Sequence, residues 1–88
     1  MRNLNTIPLS ALRTIETIGR TGSLGAAAAE LGVTPGALSQ RLTKAEAALG
    51  RPLFLRQPDG LQPTETCQAV LPRLSRAMRD LSGVVGDL

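Results

Sequence analysis

The 88-residue chain contains no histidine, tryptophan or tyrosine, and only one cysteine and one phenylalanine. Without histidine, and with its acidic residues scattered, it has neither the ligand cluster of a zinc site nor the usual general base of an enzyme, so we expect no catalysis, metal or cofactor. The lone thiol, Cys67, cannot form an internal disulfide, which is typical of a cytoplasmic protein. No apolar run approaches the roughly 18 residues that a membrane span requires. These absences predict a soluble cytoplasmic protein.

The scarcity of aromatic residues constrains the core. Apolar residues make up 42% of the chain, but Phe54 is the only aromatic one, so Leu, Ile, Val and Ala must build the interior. Close-packed helices suit this composition better than a sheet sandwich, which favours β-branched and aromatic residues. A chain of this length supports one small core. We therefore expect a mainly α-helical domain.

The positive charge is concentrated in one part of the chain. Residues 34–56 hold four basic residues (Arg41, Lys44, Arg51 and Arg56) against one acidic residue, and this segment alone accounts for the net charge of +3. The remainder balances six basic residues with six acidic ones. A basic patch of this kind indicates a polyanionic partner.

Residues that start and stop helices divide the first third of the chain. A first helix is predicted over residues 8–21, because proline is tolerated in a first turn and Gly22 suits the position after a helix end. Ser23 is a favourable N-cap for a second, alanine-rich helix that ends at Gly32. Leucine and isoleucine at positions 9, 12, 15 and 18 predict a broad apolar face on the first helix.

A third helix follows almost immediately. Thr34 is an N-cap residue and Pro35 suits the first helical position, so this helix is predicted to run from Pro35 to Leu49. Only Gly32 and Val33 separate its cap from the second helix. Two helices joined by such a short glycine-containing turn are typical of a helix-turn-helix.

The rest of the chain predicts a small hairpin and a long helix. Residues 53–56 and 61–63 are interpreted as two short strands around a Pro-Asp-Gly turn, and Thr64 as the cap of a last helix that reaches the C-terminus. Pro72 should bend this helix near Gln68. The predicted fold is a winged helix-turn-helix over residues 1–63, with a three-helix core and a two-stranded wing, followed by a linker helix over residues 64–88.

The third helix has two different sides. Leucine or alanine at positions 38, 42, 45 and 49 lies in one narrow sector and is predicted to face the core. The opposite side carries Gly36, Ser39, Gln40 and Thr43. Since an α-helix fits the major groove and Gln can bond N6 and N7 of adenine, Gln40 is the foremost candidate for base contact, with Ser39 and Thr43 beside it. The alternative is an ordinary amphipathic surface helix, which the short turn, the caps and the charge segregation disfavour.

Phosphate contacts are expected around this strip. Arg41 and Lys44 flank it, and the helix N-termini capped by Ser23 and Thr34 present backbone N–H groups suited to phosphate. The other arginines are interpreted as solvated surface residues: Arg13, Arg20, Arg73, Arg76 and Arg79.

The last helix carries an apolar seam at alternating spacings of four and three. The seam consists of Cys67, Leu71, Leu74, Met78, Leu81, Val85 and Leu88. A heptad seam on a helix that leaves a small domain predicts pairing with a second copy. The alternative is that the seam packs back onto the first helix. We interpret Cys67 as a small packing residue rather than a redox sensor.

The chain closely resembles the N-terminal domain of LysR-type transcriptional regulators. The resemblance extends almost from end to end, through Gly22-Ser23-Leu24, Ala27-Ala28, Leu31, Val33-Thr34, Ala37-Leu38-Ser39, Leu42, Glu46, Leu49-Gly50, Pro52-Leu53-Phe54, Arg56 and Pro63-Thr64-Glu65. It implies a winged helix-turn-helix, a linker helix that pairs antiparallel in a homodimer, and a partly palindromic promoter site. It also implies a ligand-sensing domain, absent here, which would take any small-molecule effector and allow tetramers in a longer protein.

The resemblance also assigns site residues. The family's positions that contact nucleotide bases correspond to Pro35, Gly36, Ser39 and Gln40. The family's position at the start of the wing corresponds to Arg56. The chain departs from the family where Pro35-Gly36 replaces Gln-Pro and Gln40 replaces arginine, so no base preference is inherited. In addition, residues 57–63 of the wing include no basic residue. Gly25 stands in place of a threonine, and Cys67 in place of a glycine.

Two functions therefore compete. The first is binding of double-stranded DNA by a dimer, with Leu71, Leu74, Met78, Leu81 and Val85 at the dimer interface. The second is a protein-interaction module that keeps the helix-turn-helix as a scaffold, which fold alone does not exclude.

Overall fold

The computed structural model describes residues 2–88 and contains four α-helices and one hairpin. A short 3₁₀ helix, Arg2–Asn5, precedes them. The elements are α1 (Leu9–Thr21), α2 (Leu24–Leu31), α3 (Pro35–Leu49), β1 (Phe54–Gln57), β2 (Gly60–Pro63) and α4 (Glu65–Asp87). The predicted fold class, a mainly helical winged helix-turn-helix with a long last helix, is confirmed.

The predicted caps position α2 and α3. Ser23 Oγ accepts a hydrogen bond from the Ala26 N–H at 3.0 Å, and Thr34 Oγ1 accepts one from the Ala37 N–H at 3.1 Å. Gly32 adopts the left-handed conformation, with φ of 70°, which turns the chain sharply between the two helices. The bounds predicted for α3 are confirmed. The predicted start of α1 is one residue early, because Pro8 is extended and serves as the N-cap.

The core lies where α1, α2 and α3 meet. Its fully buried members include Ile18, Ala27 and Leu38. The predicted apolar sectors are correct at their centres but wrong at their ends: Leu9 is 55% exposed and Leu49 is 37% exposed. Leu9 is the first residue of α1 and Leu49 the last residue of α3, and side chains at the ends of helices are covered by fewer neighbours.

The hairpin is short and attached at both ends. β1 pairs antiparallel with β2, from Phe54 opposite Pro63 to Gln57 opposite Gly60, one residue later than predicted for β1. Leu53 lies outside the ladder because its N–H donates to Glu46 Oε2 at 2.6 Å instead of to the opposite strand, although its carbonyl accepts from the Thr64 N–H at 2.8 Å. On the other side, the Leu61 N–H donates to the Gly22 carbonyl at 3.3 Å. The wing is thereby attached to the turn between α1 and α2.

The first half of α4 packs against α1. Gly19 permits the close approach, because a Cβ at this position would lie 2.6 Å from Leu71 Cδ2. Cys67 is fully buried beside this contact, and Ser75 Oγ donates to Glu16 Oε2 at 2.8 Å. The helix continues through Pro72 to Asp87 without interruption. Within residues 2–88, the helices are too short or too polar to traverse a bilayer.

One predicted surface arginine has a structural role instead. Arg20 donates from Nε to Glu16 Oε2 at 3.0 Å and forms a second ion pair with Glu30 of α2. Glu16 is only 6% exposed, so its charge requires these partners. The interpretation of Arg20 as merely solvated is therefore wrong: it joins α1 to α2, and Ser75 joins α4 to the same carboxylate.

Candidate nucleic-acid interface

The outward side of α3 presents a strip of small and polar residues. Pro35, Gly36, Gln40 and Thr43 are exposed, and Ser39 is half-buried. Nothing lies within 4 Å of the position that a Cβ on Gly36 would occupy, so a ligand can approach the backbone there. The buried residues of α3, namely Leu38, Leu42 and Ala45, hold the opposite side against the core. The strip is thus available to a partner, as its spacing predicted.

Two hydrogen bonds organise the hydroxyl groups of this strip. Thr43 Oγ1 donates to the Ser39 carbonyl at 3.1 Å, within α3. Arg56 Nη2, from β1, donates to Ser39 Oγ at 3.3 Å. The base of the wing therefore contacts the centre of the strip.

Cations surround the strip and are not neutralised within the fold. Arg41 and Lys44 are exposed and line a groove of about 290 Å³ with Ser10 and Thr14 of α1. Among the side chains of residues 3–88, the ion pairs involve Arg20 and no other cation. Arg41, Lys44 and Arg56 therefore keep their full charge for an external anion. The capped N-termini of α2 and α3, at Ser23 and Thr34, are also on the surface.

The Glu46 carboxylate fixes the wing to α3, a connection that the sequence did not reveal. Glu46 Oε2 accepts hydrogen bonds from the N–H groups of Leu53, at 2.6 Å, and Phe54, at 3.3 Å. These residues lead into β1, so the start of the strand is held at a fixed position relative to the polar strip of α3. The only signal in the sequence was a single acidic residue inside the basic segment.

The predicted dimer residues divide into two groups. Leu71 and Leu74 are half-buried and pack against the core of their own chain, and Met78 is half-buried as well. Leu81 is 42% exposed and Val85 is 70% exposed, beyond the part of α4 that contacts α1. The alternative in which the seam packs onto the first helix therefore holds for its beginning, and the end of the seam is open.

An apolar groove lies between α1, the end of α3 and the first half of α4. It has a volume of about 470 Å³ and is lined by Leu12, Ile15, Leu49, Leu53, Val70 and Leu74, with Arg51 and Arg73 among its polar residues. Cys67 lies at its floor, where burial raises the pKa of the thiol and the nearby Glu46 charge adds to the effect. A thiol of this kind is inert, which agrees with a packing role.

Taken together, two helices joined by a glycine turn, an exposed polar strip on the second of them, a hairpin wing and unpaired cations around the strip define a winged helix-turn-helix DNA-binding domain. Among residues 2–88, no cluster of His, Cys, Asp and Glu could hold a metal ion.

Comparison with known proteins places this domain in a family. Residues 9–68 match the bacterial regulatory helix-turn-helix proteins of the LysR family, so the chain belongs to that family. It is 40% identical over 82 residues to the HTH-type transcriptional activator AmpR of Rhodobacter capsulatus, covering 93% of this chain and 28% of the relative. It is 42% identical over 76 residues to the small neutral protease regulatory protein of Streptomyces coelicolor, and the match covers 86% of this chain and 23% of the relative.

Solved structures agree with this placement. The probable transcriptional regulator PA0477 from Pseudomonas aeruginosa superposes with a TM-score of 0.91 at 28% identity, over 97% of this chain and 28% of that one. The DNA-binding domain of CbnR in complex with DNA superposes with a TM-score of 0.73 at 28% identity. The superposition covers 89% of this chain and 88% of that one. The chain thus spans less than a third of the regulators AmpR and PA0477 and nearly all of an isolated DNA-binding domain.

Proposed function

We propose that this domain binds double-stranded DNA sequence-specifically, with α3 in the major groove. The observation that carries the proposal is the exposed strip on α3 with free cations on both flanks, held at a fixed position relative to the wing by Glu46. An α-helix fits the major groove, where base edges present distinct hydrogen-bonding patterns. The CbnR–DNA complex, whose protein has the same fold, adds support.

Different residues of the surface have different roles in this proposal. Pro35 and Gly36 allow the backbone of the first turn to approach the bases closely, while Ser39, Gln40 and Thr43 contact base edges. Phosphates are contacted by the side chains of Arg41, Lys44 and Arg56 and by the helix N-termini at Ser23 and Thr34. The wing tip, with Asp59 and no basic residue, contributes little to affinity.

Binding to duplex DNA is tested by fluorescence anisotropy with a promoter-length random duplex and with duplexes selected from a random library. We expect affinity to fall steeply as salt rises, because phosphate contacts release counterions. Selected duplexes should bind more tightly than random ones at the same salt concentration. Absence of binding at low salt would favour a protein-interaction module instead.

We also propose that two copies pair through α4 in antiparallel orientation. The open end of the seam, Leu81 and Val85, exposes apolar surface that a single chain leaves in water. In an antiparallel pair, the apolar seam of one copy faces the apolar seam of the other. Met78 then lies opposite Leu81 of the second copy, and Leu74 lies opposite its Val85.

Analytical ultracentrifugation tests the pairing. Val85→Glu should shift the domain toward a monomer, because it places a charge in the seam. Gly83→Glu is the matched control: Gly83 has open space around it and lies on the opposite side of α4, so pairing should persist. A monomeric wild-type domain at tens of micromolar would exclude pairing through this helix alone.

A further inference from the structure

We propose that the groove of about 290 Å³ between α1 and α3, here called the α1–α3 groove, holds one phosphate of the DNA backbone. This phosphate accepts hydrogen bonds from the hydroxyl groups of Ser10 and Thr14 and from the first turn of α1. The inference rests on the proposed DNA binding and deepens it, since it adds α1 to the surface that contacts DNA. It follows from a buried hydroxyl group that the fold leaves without a partner.

The hydroxyl group of Thr14 carries the proposal. Thr14 is only 1% exposed, and within the part of the chain that the structure describes its hydroxyl forms no hydrogen bond. The other threonines of α1 differ: Thr17 Oγ1 donates to the Arg13 carbonyl at 2.8 Å, and Thr21 Oγ1 to the Thr17 carbonyl at 2.7 Å. Among the described side chains, no fully enclosed polar atom lacks a partner, so the accessible part of Thr14 includes its hydroxyl oxygen.

This oxygen opens into the α1–α3 groove, which Thr14 lines. A buried hydroxyl without a hydrogen bond costs free energy, because it has given up its contacts with water. An oxygen atom of a ligand in the groove would accept the proton of Thr14 and remove this cost. The fold therefore leaves a donor ready for an external acceptor.

The first turn of α1 adds backbone donors. The N-terminus of α1 has no side-chain cap at Pro8, whereas the other three α-helices are capped by a hydroxyl group. Pro8, Ser10 and Ala11 line the α1–α3 groove, so this N-terminus opens into it. The free N–H groups and the dipole of a helix N-terminus favour a negative charge.

The charge of the α1–α3 groove is positive. Arg41 and Lys44 line it from α3, and neither forms an ion pair with the side chains of residues 3–88. The described residues that line the groove include no carboxylate, and alanines at positions 11, 45 and 48 leave its centre open. Cations, hydroxyl protons and backbone N–H groups around one space suit an oxyanion.

The position of the groove on α3 fits the path of one DNA strand. At about 100° per residue, Ser39 lies on one edge of the polar strip of α3 and Lys44 on the other. The wing covers the Ser39 edge through Arg56, and the α1–α3 groove lies beyond the Lys44 edge. A helix in the major groove has a sugar–phosphate backbone on each side, and its phosphates position the protein. We assign the groove to the strand that passes α1.

The central variant is Thr14→Val, which keeps the shape of the side chain and removes its hydroxyl group. We expect DNA binding, measured by anisotropy, to weaken about three- to tenfold, since one hydrogen bond is lost. The factor should be the same on selected and random duplexes, because phosphate contacts carry no sequence information. Ser10→Ala, at an exposed position, should weaken binding in the same way.

Thr17→Val is the matched control. Thr17 is as buried as Thr14 and lies one turn further along α1, but its hydroxyl already donates within the helix. Its replacement should therefore leave the affinity for DNA unchanged.

Stability and salt dependence separate a ligand contact from a structural role. In circular dichroism melting, Thr14→Val should be at least as stable as the wild type, because the missing hydroxyl has no partner in the fold. The slope of log K against log salt should stay the same in Thr14→Val, since a hydroxyl group releases no counterion. Lys44→Ala should reduce the magnitude of that slope by about one.

Methylphosphonate duplexes locate the phosphate. Each duplex carries a methyl group in place of one charged oxygen at a single phosphate, and the replacement is moved along a selected site. At one position it should weaken the wild type clearly and Thr14→Val much less. Inorganic phosphate tests the other source of the same anion: titrated without DNA at constant ionic strength, it should cause no saturable change in the amide resonances of residues 9–14.

Several results would overturn the inference. They are a Thr14→Val variant that binds DNA like the wild type or melts at a lower temperature, and a methylphosphonate scan with no position that depends on Thr14. Saturable binding of inorganic phosphate at residues 9–14 would assign the groove to a free anion instead. In each of these cases the wild-type domain still binds DNA, so the proposed function survives. Failure of the wild-type domain to bind any duplex at low salt overturns both.

Discussion

The Glu46 carboxylate accepts a hydrogen bond from the Leu53 backbone N–H at 2.6 Å, and this contact connects α3 to the wing. Glu46 Oε2 accepts from the Phe54 N–H as well. A single side chain of α3 thus satisfies two backbone donors at the entry to β1, just before and at the first ladder pair, Phe54 with Pro63.

Replacing Glu46 should loosen the wing. Glu46→Ala leaves the N–H groups of Leu53 and Phe54 without an acceptor in a partly buried place, at a cost of about 1–3 kcal/mol of unfolding free energy. Glu46→Gln keeps one neutral acceptor and should cost less. Urea unfolding measures the free energies, and amide hydrogen exchange at residues 53 and 54 should accelerate in both variants.

The control for this experiment is Asp59→Asn. Asp59 is exposed in the turn of the wing and forms no ion pair with the side chains of residues 3–88. If Asp59→Asn and Glu46→Ala lowered stability equally, a general effect of negative charge would explain the loss better than the hydrogen bonds do.

A methyl group at position 19 should disturb the contact between α1 and α4. In Gly19→Ala the new Cβ would lie 2.6 Å from Leu71 Cδ2, so Leu71 must move. Overpacking costs about 1–3 kcal/mol, and the better helix propensity of alanine recovers up to about 1 kcal/mol of it. Thermal and urea unfolding should show a net loss of stability for Gly19→Ala. The same substitution should cost less in a Leu71→Ala background, where the clashing side chain is absent.

Gly25 provides the matched comparison. It lies in α2 with nothing within 4 Å of a Cβ, so Gly25→Ala should leave stability unchanged or raise it by up to about 1 kcal/mol. A Gly19→Ala variant as stable as Gly25→Ala would show that α4 adjusts its position on α1 without cost.

The ion pair between Arg20 and Glu30 predicts a pH dependence. Hydrogen bonding to Arg20 lowers the pKa of Glu30 from 4.5 in the folded state. A carboxyl with a lowered folded-state pKa adds stability above its unfolded pKa, and this stability is lost as the pH falls through the folded value. The difference in unfolding free energy between the wild type and Glu30→Gln should therefore be constant near neutrality and shrink below about pH 4.5.

Added salt gives an independent check on this pair. The side chains of Arg20 and Glu30 are both about half exposed, so salt should screen their attraction. At pH 7, added salt should therefore reduce the difference in unfolding free energy between the wild type and Glu30→Gln. A difference that grows on acidification would mean that another group, and not Glu30, titrates in this region.

Contacts with bases and with phosphates should respond differently to substitution. Gln40→Ala should relax preference at one base position, by about 1–3 kcal/mol, because the proposed contact between the Gln40 amide and a base edge would be lost. Lys44→Ala should weaken binding to all duplexes alike and reduce its salt dependence by about one released counterion. Anisotropy titrations on selected and random duplexes measure both. Equal losses on both kinds of duplex in Gln40→Ala would remove its assignment to base contact.

The sequence predicted the helices well because local signals determine them. Thr34 and Pro35 at the start of α3 and Gly50 at its end are short-range features, and the structure places the helix between them. The outward strip followed from periodicity for the same reason. Leu49 was assigned to the core wrongly, since periodicity gives the side of a helix on which a residue lies and not how far the neighbouring elements extend.

What the sequence did not show depends on contacts between distant positions. The bond from Ser75 to Glu16 spans 59 positions, and the ion pair between Arg20 and Glu30 joins two helices. The first half of the seam on α4 packs inside its own chain because Gly19 lets Leu71 approach α1. A heptad pattern looks the same whether its partner is the same chain or another one.

The attachment of α4 at Gly19 and Glu16 has a geometric consequence. If two copies pair through α4 as proposed and α4 is rigid, the extent of the antiparallel overlap sets the distance between the two α3 helices. Sliding that overlap by one heptad changes the distance by about 10.5 Å, which corresponds to about three base pairs and roughly a third of a turn of B-form DNA. The alignment of apolar residues at the C-terminal end of α4 would then determine the spacing of the two DNA half-sites that a dimer contacts.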